Sequence, residues 1–160
     1  MRIRELFPSE TALVTQFYRE APDYWLLAKG RIDAQAQASD FFTDAPPNCD
    51  PATSDRLGLF LNQRLSGLAE LSYGFPEPND AYLGLMILGP WVQGAGHGKA
   101  FLAEVEARAR ARHAARLCLA VLDANPRARA FWLREGFRPT GLRRQDGTTG
   151  HWVERLVKGV

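Results

Sequence analysis

The chain has 160 residues, 46% hydrophobic and 24% charged, with a formal net charge of +2. That length fits one domain with its own core. No apolar run approaches the ~20 residues of a membrane helix, and the cysteines (Cys49, Cys118) and histidines (His97, His113, His151) lack metal-ligand spacing. Membrane-spanning, disulfide-framework and structural-zinc classes are therefore set aside, and a cytoplasmic protein is expected.

Arg2 to Phe7 alternates as a first strand. Pro8-Ser9-Glu10 opens a helix to about Ala21, with Leu13, Val14, Phe17 and Tyr18 at helical spacing, and Pro22 ends it. Tyr24 to Phe42 reads as a second helical region with a break near Gly30. Thr43 to Asp55 contains Pro46, Pro47 and Pro51 and no periodicity, so it reads as a long exposed loop. Leu57–Leu61, Gly67–Tyr73 and Ala81–Leu88 form an antiparallel meander. The third of these strands is almost wholly apolar, which predicts a central strand buried on both faces.

A glycine-rich turn, Gln93-Gly94-Ala95-Gly96-His97-Gly98, then feeds a helix from about Gly96 to His113, with Phe101, Leu102, Val105 and Ala109 as its apolar stripe. Arg116–Leu122 is a buried strand. Asn125 is a helix N-cap with Pro126 in the first turn, and Gly136 stops that helix. Two last strands, about Arg138–Leu142 and His151–Val157, flank Gln145-Asp146-Gly147. The order is mixed α/β, a meander followed by a β–α–β–α–β run.

Charge divides along this order. Residues 1–80 hold 7 Lys/Arg against 12 Asp/Glu; residues 81–160 hold 13 against 6. A basic half suits an anionic ligand, and an acidic half suits a cationic one; charges that merely face water would also divide this way by accident. The arginines follow exposed helix faces and no aromatic–basic module occurs, so no nucleic-acid partner is expected.

A strand running through glycines into a helix can bind an anion, because the first helical N–H groups have no internal partner and the helix dipole adds positive charge. A Walker loop would need glycine at Gln93 and serine or threonine at Ala100. A dinucleotide fingerprint would need glycine or alanine at Lys99, and an early βαβ unit in place of the meander. A strand–helix connection with no ligand also fits the glycines alone.

Gln93-x-x-Gly96-x-Gly98 resembles the pyrophosphate-binding motif of the GCN5-related N-acetyltransferases, the GNAT family. The apolar strand Leu83–Leu88 before it, and Asn125-Pro126-x-Ala128-x-x-Phe131-Trp132-x-x-x-Gly136-Phe137 after it, are similar to the family's other signatures. The resemblance covers the element order of the whole chain and is most specific from about Leu57 to Gly141. It implies a single domain over residues 1–160. The implied fold is α/β, a central mixed, mostly antiparallel sheet of six to seven strands, flanked by about four helices and splayed between the fourth and fifth strands. It also implies an N-acetyltransferase that moves acetyl from acetyl-coenzyme A to a primary amine by direct attack in a ternary complex, without a metal. The acceptor would be a small-molecule amine or the amine of a peptide or protein. No membrane partner is implied, and homodimers are common in the family. The alternative is a non-catalytic coenzyme A-binding or regulatory module.

Residue by residue, the resemblance implies that the amides of Gln93, Gly94, Ala95, Gly96, His97, Gly98 and Lys99 cradle the pyrophosphate. Met86, Ile87 and Leu88 would pair with the pantetheine arm, the Leu88 amide stabilising the oxyanion, an effect of ~2.7–4 kcal/mol. Asn125 would contact the pantetheine or the acceptor, or act only as a cap; Ala128 and Phe131 would line the channel. Trp132 departs from the pattern. Many members carry tyrosine there to protonate the departing thiolate, and an indole N–H cannot do so. Trp132 is read as channel wall, with Tyr73 and Tyr82 as candidate substitutes. Glu70 interrupts an apolar strand beside the central one and is the preferred general base, ahead of Asp80 and Glu154. Simple alternation would instead turn Glu70 to solvent. Tyr24–Phe42 is expected to wall the acceptor pocket.

Overall fold

In the computed structural model, which describes residues 1–160, the alternating segments form seven strands and the periodic ones five helices. In chain order these are β1 (Arg2–Glu5), α1 (Thr11–Glu20), α2 (Asp23–Lys29), α3 (Ala34–Thr43), β2 (Asp55–Leu61), β3 (Arg64–Tyr73), β4 (Asp80–Leu88), α4 (His97–Ala111), β5 (Arg116–Leu122), α5 (Pro126–Arg134), β6 (Arg138–Gln145) and β7 (Trp152–Gly159). The fifth helix arises because Tyr24–Phe42 is two helices. Gly30 closes α2 in a left-handed conformation (φ 73°), and the Asp33 carboxylate caps α3 by accepting from the Ala36 amide at 3.2 Å. No helix is long and apolar enough to cross a membrane.

One sheet holds all seven strands in the order β1-β2-β3-β4-β5-β7-β6. Only β4 and β5 run parallel. A core lies on each face. Beneath α4 and α5, Phe101, Leu102 and Val105 pack on Leu57, Ala69, Leu71 and Leu119. Beneath α1 and α3, Val14, Phe17, Tyr18 and Phe41 pack on Leu65, Leu68, Leu85 and Ile87.

β4 departs from the expectation of burial on both faces. Its even positions Tyr82, Met86 and Leu88 are half-buried and Gly84 is exposed. Two features explain this. β4 pairs with β5 only over Asp80–Tyr82, after which the two parallel strands splay. Opposite β3, Leu71 faces Leu83 and Glu70 faces Leu85, so Gly84 is the extra residue of a β-bulge. The bulge switches faces: Leu83 belongs to the α4 core, whereas Leu85 and Ile87 belong to the α1 core.

The closed end of the splay is held by a charge pair. Asp80 is buried and accepts from Arg116 Nε at 2.9 Å and Nη2 at 2.6 Å. This bond places Asp80 in a structural role. Asp80→Asn should lower unfolding stability by about 1–3 kcal/mol, discounted for the exposure of Arg116, and leave any pH–rate profile unchanged; denaturant titration and kinetics of the variant check both. Glu154 is committed in the same way. It pairs with Arg129 at 2.7 Å, and that hydrogen bond holds its pKa below the ordinary carboxylate value.

Candidate functional site

The splay leaves a backbone edge free. The Gly89 amide donates to the Ser66 carbonyl of β3 at 2.8 Å. Backbone groups alternate sides along a strand, so the N–H and C=O of Leu88, and of Met86 two residues earlier, point to the opposite edge. That edge faces β5 where the ladder has already ended at Tyr82. The Leu88 carbonyl accepts from Gln93 Nε2 at 3.1 Å. Gln93 therefore ties the strand end to the start of the glycine turn.

The turn's glycines act through conformation. Gly94 and Gly96 have φ of 82° and 83°, a region costly for other residues, and Gly96 is the N-cap of α4. A Cβ at either position would meet nothing within 4 Å. Gly98 is closer packed: its Cβ would touch Leu88 and Phe131 at 3.4 Å. The first N–H groups of α4 thus open onto the same space as the free edge of β4.

That space is a cleft of about 630 Å³. Met86, Ile87, Leu88, Gln93, Gly94, Gly96, Gly98, Lys99, Asn125, Ala128, Phe131 and Trp132 all line it. Ala95 and His97 do not; Ala95 is exposed, and His97 is the half-buried first residue of α4. Asn125 caps α5, its side-chain oxygen accepting from the Ala128 amide at 3.2 Å. Trp132 is buried, edge-on to Phe131 and Phe137. A larger cavity, about 910 Å³, lies apart from the turn between α2, α3 and the β6–β7 connection, with Trp25, Asp40, Asp44 and His151 among its walls.

Glu70 lies outside the cleft lining, and its alternation does not take it to solvent. It is 8% exposed because α1 and α3 cover that face of β3. Its Oε1 would sit 3.4 Å from a Cβ on the bulge residue Gly84. Arg56 Nη1 lies 3.3 Å away and also donates to the Phe41 carbonyl at 2.7 Å. Burial pushes the Glu70 carboxyl up to about 7, against the downward pull of Arg56; the charge of Asp44 adds to the rise. A buried carboxyl titrating near neutrality can exchange a proton under ordinary conditions.

Tyr24 and Leu27, from the region expected to wall the acceptor pocket, line this cleft from the α1–α2 corner. Other cleft residues carry no sequence expectation: Ala21 and Asp23 at the same corner, Arg127 and Arg134 on α5, and Glu135 at its C-cap. Tyr24 matters because neither candidate substitute for the missing tyrosine lines the cleft. The Tyr73 hydroxyl donates to Asp55 on the α4 side, and Tyr82 packs edge-on against Phe75. Burial raises the Tyr24 hydroxyl above its ordinary value, so it keeps its proton at neutral pH. No group of three or more His, Cys, Asp or Glu side chains is placed to hold a metal.

The sequence profile described as the Acetyltransferase (GNAT) family matches residues 14–137, which include the meander, the turn and α5. The chain belongs to the GNAT family. This GNAT chain superposes on an acetyltransferase from Thermus thermophilus with a TM-score of 0.77 at 24% identity, covering 99% of this chain and 96% of that one. It superposes on a PaiA N-acetyltransferase from Thermoplasma acidophilum, solved with coenzyme A, at TM-score 0.72 and 20% identity, over 99% and 98% of the two chains. A ribosomal-protein-alanine N-acetyltransferase from Brucella melitensis gives 0.73 at 16% identity, over 100% of both. At these identities the likeness is one of fold. No curated protein matches the chain.

For this GNAT the connection from β4 to the turn is tightly built. A Cβ on Gly89 would fall 2.5–2.7 Å from atoms of the Trp91 indole, whose Nε1 donates to Ser66 Oγ at 3.0 Å and whose ring carries Arg64 at 3.6 Å. Gly89→Ala should therefore cost about 1–3 kcal/mol of stability by overpacking. It should also weaken coenzyme binding, because the displaced indole sits between Leu88 and Gln93 in the chain. Thermal denaturation and calorimetry read the two effects.

Proposed function

We propose that this GNAT transfers the acetyl group of acetyl-coenzyme A to a primary amine by direct attack in a ternary complex. The observation that carries the reading is the convergence, in one cleft, of the Gly94–Lys99 helix start with the edge of Met86 and Leu88 that β5 does not pair. The residues fit the donor. A diphosphate needs unsatisfied N–H groups approachable without side chains, which the turn supplies. An extended amide-bearing arm needs a free strand edge, which β4 supplies. Ala128 and Phe131 give the cleft an apolar wall.

Acetyl-coenzyme A supplies an activated thioester carbonyl. The Leu88 N–H faces the gap where that carbonyl would lie, suited to stabilise charge on its oxygen. The amine nitrogen forms the new C–N bond as the C–S bond breaks. The proton lost from nitrogen passes to Glu70 through water, since Glu70 stands behind the bulge rather than in the cleft wall. The sulfur leaves as thiolate or takes a proton, and Tyr24 is the cleft's tyrosine. The larger cavity between α2 and α3 extends to Asp44, whose charge acts on Glu70, and it is the acceptor's approach.

Trp132, in place of a hydroxyl donor, favours one other reading, a coenzyme A-binding module without turnover. A thiol-release assay with acetyl-coenzyme A and a panel of diamines, amino acids, aminoglycosides and peptides separates them. Release stimulated by any amine supports the transferase; binding without release on the whole panel supports the module.

A further inference from the structure

The cleft wall carries three cations against two carboxylates. The cations are Lys99 in the first turn of α4, and Arg127 and Arg134 on α5. None of the three has an ion pair or a side-chain hydrogen bond. Neighbouring cations on the same helices are committed: Arg108 to Glu104 at 3.0 Å and Arg129 to Glu154 at 2.7 Å. Arg127, Phe131 and Arg134 stand at i, i+4 and i+7, so they share one face of α5. Arg127 and Arg134 are about 10 Å apart along the axis, with the Phe131 ring between them. Asp23 and Glu135 also line the cleft, yet neither is paired with these cations.

We propose that Arg127, Arg134 and Lys99 read the 3′-phosphate of coenzyme A, so that this protein discriminates against dephospho-coenzyme A. The inference rests on the proposed donor. The backbone amides of the turn answer the diphosphate without any side-chain charge, which leaves these cations for a further anionic group. Coenzyme A has one, a phosphate monoester on the ribose beside the adenine. Its adenosine can lie along the Phe131 face between the two guanidinium groups, which suit bidentate phosphate contacts.

Isothermal titration of coenzyme A and of dephospho-coenzyme A into the wild-type protein, at low and high salt, tests it. Wild type should bind coenzyme A about tenfold or more tightly, a preference that shrinks with salt. Arg127→Ala/Arg134→Ala should reduce the preference towards unity while keeping affinity for dephospho-coenzyme A. Lys99→Ala should reduce it in part, and Arg110→Ala, on the exposed outside of α4, should leave it intact. Equal affinities of the wild type for the two ligands would overturn the inference and leave the donor assignment standing. A preference that survives in the double variant would overturn the residue assignment. Binding of neither ligand by wild type would remove the donor assignment and this inference together.

Discussion

Gly96→Glu is expected to abolish coenzyme A binding while leaving the protein folded. Gly96 holds φ at 83°, where a side chain costs about 1–2 kcal/mol, but a Cβ there enters open space. The fold can absorb that strain. The ligand cannot, because the new carboxylate stands at the N-terminus of α4, where the amide groups would otherwise meet a diphosphate. Like charge and occupied volume both act against binding. Calorimetric titration should show no saturable heat, with an unchanged circular dichroism spectrum. Wild-type affinity in Gly96→Glu would remove the anion site from this turn.

Glu70→Gln is expected to reduce turnover by about 10²-fold or more with little change in coenzyme affinity. The base form is the carboxylate, and burial raises its pKa to about 7. The wild-type rate should therefore climb with pH through about 7, and that limb should vanish in the variant. Stability should move in the opposite sense. A carboxyl raised from 4.5 in the folded state binds its proton more tightly there than in the unfolded chain. Its contribution is fully present below the unfolded pKa and is lost as pH rises through about 7. Relative to wild type, Glu70→Gln should thus look more stable at pH 8 than at pH 5. A wild-type pH–rate profile in the variant would reject Glu70 as base. A pH-independent stability difference would reject its raised pKa.

Much of this architecture is written in local signals. Asn125-Pro126 and Gly136 bound α5 through capping and stop chemistry that needs no tertiary contact. Gly94, Gly96 and Gly98 mark the turn because two of them need positive φ. The features that were not legible depend on pairing across the chain. The Gly84 bulge appears only when β4 is set against β3, and a glycine inside an apolar strand was its sole trace. The burial of Glu70 follows from α1 and α3 lying across β3, which strand alternation cannot report. For Tyr24 a place in a pocket wall was legible, but its position beside the glycine turn was not, because that depends on how α2 packs after the chain turns at Pro22. Arg127 and Arg134 were within reach, since they share the helical face of Phe131.

Whether the glycine turn and the β4 edge together hold the donor can be read by NMR titration of acetyl-coenzyme A into this 17.9 kDa protein with assigned amides. Saturable shifts should concentrate at Met86, Leu88, Gly94, Gly96, Gly98 and Lys99, with Ala128 and Phe131 on the facing helix. Shifts confined to the α2–α3 cavity, or none at a saturating concentration, would contradict that placement.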